Sequence, residues 1–210
     1  MSIEPSPGHY LRRSPEEKDA VDALARLLDG RVGVEAMLDD LNRRAHRSPI
    51  PGRAPDWGFR WTRGDCVDRR WWPQGVTTSA DADESEEIGG RRVLAVSWYA
   101  KAYGEVRKGC RVSFVDIDTL AYRHVLLVVP SIADDGRLKL DGLPVHAGGI
   151  VWHGPYLHVA GTRRGLLTAR LDDLMRVPDR FLDHDRDTIG VTAGRPSTFG
   201  YRYVLPISSA

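Results

Sequence analysis

Residues His146 to Leu174, HAGGIVWHGPYLHVAGTRRGLLTARLDDL, decide how this chain is read. Apolar runs separated by the turn signals HGP and TRRG predict three short antiparallel strands. The same order of strands occurs earlier in the chain. Pro73–Thr78 lies over Ala147–Trp152, Val93–Tyr99 over Tyr156–Thr162, and Val112–Leu120 over Leu166–Leu174. The closing strands match best, Tyr122-Arg123-His124-Val125-Leu126 against Tyr201-Arg202-Tyr203-Val204-Leu205. Insertions fall between the strands, where loops tolerate them.

A four-stranded antiparallel unit that recurs is the pattern of propeller blades, which stack because one blade cannot cover both of its faces. The expected fold class is mainly β, with two four-stranded antiparallel propeller-like blades preceded by an N-terminal α-helical hairpin. An eight-stranded sandwich is the alternative. The boundaries follow from composition: a disordered lead-in over 1–13, a helical hairpin over 14–47, a proline-rich linker over 48–56, a first blade over 57–130 and a second over 131–210.

The hairpin rests on two apolar stripes. Ser14-Pro15-Glu16-Glu17 has the form of a capping box with proline at the first helical position. Val21, Leu24, Leu27 and Leu28 then share a face, and Gly30 can end the helix. A second helix is expected from about Val34 to His46, with early acids and late bases that complement the helix dipole. The hairpin reads as a cap over a sheet edge or blade face, with partner binding as the alternative.

Thirty Lys and Arg residues against 29 Asp and Glu give a net charge of +1, interleaved along the chain, so no basic stripe for nucleic acid is expected. No stretch approaches the ~18 apolar residues of a membrane span, and the opening residues lack the hydrophobic region of an export signal. A cytoplasmic location is the expectation. Cys66 and Cys110 read as separate thiols, with a bridge as the alternative, and neither has the C-x-x-C context of a zinc site. The acidic loop SADADESEEIGG fails the calcium-loop pattern, because Glu86 and Arg92 stand where glycine and glutamate are needed.

TRGDCVDRRWWPQGVTTSADA, VLAVSWYA, RVSFVDIDT, YRHVLLVVP, HAGGIVWHGPYLHVAGTRRGL and YRYVLP together resemble a group of uncharacterised actinobacterial propeller-like proteins, often labelled secreted. RVSFVDID is also similar to the LVIVD type of propeller repeat. The resemblance covers about residues 15–209. It implies a propeller-like fold and no established activity. Those proteins are longer, with more blades, and many carry export signals, so a secreted location is implied if this chain is a shortened form. LLTARLDDL also stands where a more apolar strand is usual in them.

In a propeller the start of the first strand lies beside the end of the second on one rim. That rim would hold Trp72 and Gln74 beside Trp98 and Tyr99, and His146 beside Thr162 and Arg163, which describes a ligand mouth of aromatic walls and a few polar groups. His146 is the catalytic candidate, as a general base or metal ligand, with a loop-bonded structural histidine as the alternative. The spacing of His146, His153 and His158 matches no zinc signature, so neither a metal site nor a cofactor is expected. No nucleophile elbow, phosphate loop or dinucleotide fingerprint is present. The expected function is a non-catalytic ligand- or protein-binding module that self-associates to complete a ring. The alternative is a lactonase-like hydrolase or lyase that uses His146 with water or a metal.

Overall fold

A computed structural model of the chain describes residues 14–102, 104, 106–162, 164–182 and 186–209. The lead-in expected over 1–13 and the rim residue Arg163 lie outside the described residues. Two helices, α1 (Lys18–Leu27) and α2 (Gly33–Leu38), come first. Short strands β1 (Arg43–Arg44), β2 (His46–Ser48) and β3 (Gly58–Arg60) lead to a third helix, α3 (Arg63–Val67). Then follow β4 (Trp71–Thr78), β5 (Val93–Ala100), β6 (Cys110–Asp116), β7 (Ala121–Ile132) and β8 (Leu138–Gly142). The remainder supplies β9 (Gly149–His153), β10 (Tyr156–Gly161), β11 (Gly165–Arg170), β12 (Met175–Arg176), β13 (Ile189–Thr192), β14 (Arg195–Thr198) and β15 (Tyr203–Ser209).

Strands β4 to β7 form one antiparallel meander, and β9, β10, β11 and β15 form another. They are not stacked blades. The two best-matched strands pair edge to edge in parallel, with Val204 opposite Leu126 and Leu205 opposite Leu127. On the far side the two first strands also meet. The Trp152 N–H donates to Oγ1 of Thr77 at 3.1 Å, and a Cβ on Gly75 would stand only 2.9 Å from the Ile150 nitrogen. Ser97 ties this second seam by accepting from the Gly75 N–H at 2.9 Å and donating to the Ala147 carbonyl at 2.8 Å. The result is one nearly closed, barrel-like sheet of eleven strands, in which β1, β8 and β12 are lateral additions.

The expectation of two blades fails because of how burial is achieved. Alternation sends Val112, Phe114 and Val125 of the first meander inward to meet Trp152, Leu157 and Val159 of the second. Phe114 and Trp152 touch edge to face at 5.7 Å. One shared interior of buried residues thus covers the inner faces of both units. Met37 and Leu38 of α2 join this core at the end where β5 begins, held there by an Arg91–Asp39 ion pair at 2.8 Å.

Helix α1 covers the outside of the parallel seam, burying Val21, Leu24 and Leu28 against Leu126, Val128 and Val204. At about 1.5–3 kcal/mol per fully buried aliphatic side chain, this face holds the helix in place. The helix starts at Lys18 rather than in a Ser14 capping box, because the Glu17 N–H is bonded to the Ser208 carbonyl at 2.8 Å and held against β15. The second helix ends at Leu38, not near His46. Arg43 and Arg44 instead pair with Tyr122 and Ala121, so the open edge of β7 takes the chain that helix propensity would have continued. Both cysteines are free, Cys110 buried and Cys66 exposed.

Candidate anion-binding pocket

The outer face of β5, β6 and β7 carries Trp98, Arg111, Ser113, Tyr122 and His124, because Val112, Phe114 and Val125 point into the barrel. This face is roofed over. Trp61 packs edge-on against Trp98 at 4.9 Å and Tyr122 at 5.0 Å, and α3 follows directly after it. Phe199 to Arg202 close another side and leave a polar cavity of about 660 Å³.

Asp65 of α3 anchors the floor. Its Oδ2 accepts from the Tyr122 hydroxyl at 2.5 Å, Thr62 Oγ1 at 2.9 Å and Arg43 Nε at 3.3 Å. Its Oδ1 accepts from His124 Nε2 at 3.0 Å. Burial opposes the charge on Asp65, yet the donors His124 and Tyr122 and the charge of Arg111 hold its pKa well below the usual carboxylate range.

The tautomer of His124 follows from its Asp65 partner and the neutral state of the ring. Trp98 Nε1 can only donate, and it does so to Ser113 Oγ at 2.7 Å. Asp65, a carboxylate, can only accept, so Nε2 carries the proton; in the neutral ring Nδ1 is then an acceptor, and the Ser113 hydroxyl, 2.7 Å away, donates to it. Burial, and then the nearby Arg111 charge, lower the His124 pKa to about 3, so the ring is neutral near pH 7.

Ser113, His124 and Asp65 thus share the connectivity of a hydrolytic triad, with the two ring nitrogens exchanged. Ser113 is 0% exposed and is not part of the cavity wall. No substrate carbonyl can reach its oxygen, so the chain of hydrogen bonds positions α3 and the floor.

Arg111 completes the floor. Its guanidinium carbon lies 4.4 Å from the Trp71 ring centre and 4.7 Å from that of Trp98. Nη1 donates to the Tyr201 hydroxyl at 3.3 Å. Nε and Nη2 are buried and have no hydrogen-bond acceptor among the described residues, although Nη2 lies 3.6 Å from Asp65 Oδ1. The walls add Arg43, Arg70, Lys108, Arg123, Arg186 and Arg202, which with Arg111 make seven cations beside the carboxylates of Asp65, Asp68 and Asp187; Arg123 and Arg202 are also paired with Asp40 and Asp179. Near the mouth, Asp187 Oδ1 stands 3.3 Å from Arg70 Nη1 and 3.2 Å from Lys108 Nζ. Burial pulls the Lys108 pKa down against the opposing pull of Asp187.

The rim residues expected from sequence are only partly brought together. Trp72 is paired across strands with Tyr99, which stacks on His146 at 4.3 Å beside the barrel end opposite α2. Lys101 sits over the Trp72 ring at 3.8 Å, and Gln74 bonds the Pro73 carbonyl. Thr162 is exposed, as is His146, and neither lines the cavity. Trp98 is buried under the pocket floor, not at the rim.

Arg111, Asp65 and His124 were not singled out from sequence. A signal for them exists: polar residues alternate with apolar ones in CRVSFVD and YRHVLL, and the aromatic stretch WGFRW offers a roof for that polar face.

The chain gives no match to a protein-family model, to the curated proteins or to the solved structures. No family is assigned. The functional reading rests on the pocket itself.

Proposed function

We propose that this protein is a ligand-binding module that holds a small anionic molecule in the cavity floored by Arg111. The observation that carries this reading is the Arg111 side chain, 4% exposed, lining the cavity with two nitrogens that lack a hydrogen-bond acceptor among the described residues. Each buried donor left unmatched costs about 1–3 kcal/mol, and an anion entering the cavity offsets that cost. The surrounding cations make the same choice of charge. The resemblance to propeller-like proteins supports the repeated four-stranded unit and supplies no activity.

The hydrolytic alternative depended on His146, which lies outside this cavity. Ring completion by further copies was expected from two open blade faces. With both seams joined within one chain, this reading needs no second copy.

Thermal unfolding in phosphate, sulfate and acetate at matched ionic strength tests the proposal, because a ligand that binds only the folded state raises Tm. The wild type is expected to gain several degrees over a chloride control, and Arg111→Met to gain none. Equal shifts in the two proteins, or none in either, would overturn the reading.

A further inference from the structure

We infer that the ligand of this pocket is a monoanionic carboxylate, held edge-on by Nε and Nη2 of Arg111. The inference rests on the anion-binding reading above and names its ligand class.

The first argument is geometric. Nε–H and Nη2–H project side by side from one edge of the guanidinium, a spacing that matches the two oxygens of a carboxylate. These are the two nitrogens without an acceptor among the described residues. Nη1, on the neighbouring edge, is already engaged by the Tyr201 hydroxyl. Two indoles stand within 4.7 Å of the guanidinium carbon, so hydrogen bonding is left to the in-plane N–H bonds. A flat carboxylate can lie in that plane. A phosphate can set two oxygens on the same fork, but its other oxygens stand outside the guanidinium plane, on the sides that the rings occupy.

The internal carboxylate does not take this edge. Both oxygens of Asp65 already accept hydrogen bonds, from Tyr122, Thr62 and Arg43 on one side and His124 on the other. Its 3.6 Å separation from Nη2 is attraction without a hydrogen bond.

The second argument is charge. At the floor, Arg43 and Arg111 face one carboxylate, Asp65, while His124 is kept neutral by its burial and by the neighbouring Arg111 charge. At that floor one positive charge is left over for a carboxylate to neutralise, since Arg123 and Arg202 are paired with Asp40 and Asp179, and Arg70 and Lys108 with Asp187. A phosphate dianion would place its second charge close to Asp65 in a buried setting where repulsion is poorly screened.

Isothermal titration of the full chain with acetate, benzoate and inorganic phosphate at pH 7.5 decides the matter. One of the two carboxylates is expected to bind at least about 10-fold more tightly than phosphate. Arg111→Lys is expected to lose about 10-fold or more in carboxylate affinity, with a smaller change for phosphate, because lysine keeps the charge and loses the fork. Phosphate binding as tight as both carboxylates, or Arg111→Lys retaining the carboxylate, overturns the inference and leaves the anion pocket standing. No binding of any probe to wild type defeats both readings. Should Arg111→Lys fail to fold, the wild-type ratio of carboxylate to phosphate affinity decides alone.

Discussion

His124 donates its Nε2 proton to Oδ1 of Asp65 across 3.0 Å, while its Nδ1 accepts from Ser113 at 2.7 Å. Burial and the Arg111 charge keep the ring neutral against the pull of Asp65, with a pKa of about 3 against 6.5 for an unburied imidazole. Between those values the unfolded chain binds a proton that the folded chain refuses. Stability is therefore present in full above about pH 6.5 and falls as pH drops toward 3, with Asp65 adding to the loss once pH falls below the ordinary carboxylate value of 3.8. Urea unfolding measured from pH 7 to pH 4 should show a decline of up to about 1.4 kcal/mol per pH unit from His124. His124→Gln should flatten that slope; an unchanged slope would show that the histidine is not the group that titrates.

Asp65 is the shared acceptor of Tyr122, Thr62, Arg43 and His124. Asp65→Asn removes the charge facing Arg43 and Arg111 and gives one of these donors another donor to face. Breaking a buried ion pair from one side costs about 3–5 kcal/mol, and a loss near the lower figure is expected in chemical denaturation because Asp65 is at the edge of the cavity. A loss under about 1 kcal/mol would mean that α3 is held chiefly by the Trp61 contacts.

Two glycines separate seam packing from simple chain freedom. A Cβ on Gly75 would meet the Ile150 nitrogen at 2.9 Å and the Gly149 Cα at 3.1 Å, whereas one on Gly64, inside α3, would meet nothing within 4 Å. Gly75→Ala should therefore destabilise by about 1–3 kcal/mol. Gly64→Ala should be neutral or stabilise by up to about 1 kcal/mol, since alanine favours the helix. Thermal melts of the two variants side by side check the contrast, and similar melting points would contradict the tight approach of β4 and β9.

A fluorophosphonate probe, which labels accessible activated serines, should leave the native protein unlabelled, because Ser113 is fully buried beneath the floor. Ser113→Ala should cost about 1–3 kcal/mol in stability by stranding Trp98 Nε1. Labelling that disappears in Ser113→Ala would convert the hydrogen-bonded chain into a catalytic one.

The strands themselves were legible. VLAVSWYA, RVSFVD and YRHVLLVV alternate or run apolar, and they are β5, β6 and β7. The likeness of Tyr122–Leu126 to Tyr201–Leu205 also pointed to two strands with one environment, and the structure places them next to each other. What the match does not contain is a choice between stacking two meanders face to face and joining them at their edges. Both arrangements bury the same alternating residues, and the choice falls to contacts such as Gly75 against Ile150, which come from distant parts of the chain. Arg43 and Arg44 failed as helix for a related reason: nothing local breaks the helix, and the β7 edge simply offers better partners. The pocket was hidden because Arg111 and His124 occupy outward positions, where polar residues on a solvated face would look the same.

The two seams also bear on how the molecule is made. During synthesis the first meander emerges from the ribosome with its β4 edge bare and its β7 edge met only by the two residues of β1. Strand β4 must wait for β9, and β7 must wait for β15 at residues 203–209, so neither seam can form while the second half is still in the exit tunnel. Vectorial folding of the first half is thus left with largely unpaired edges, the condition under which nascent chains recruit holding chaperones or cross-pair with neighbours on the same polysome.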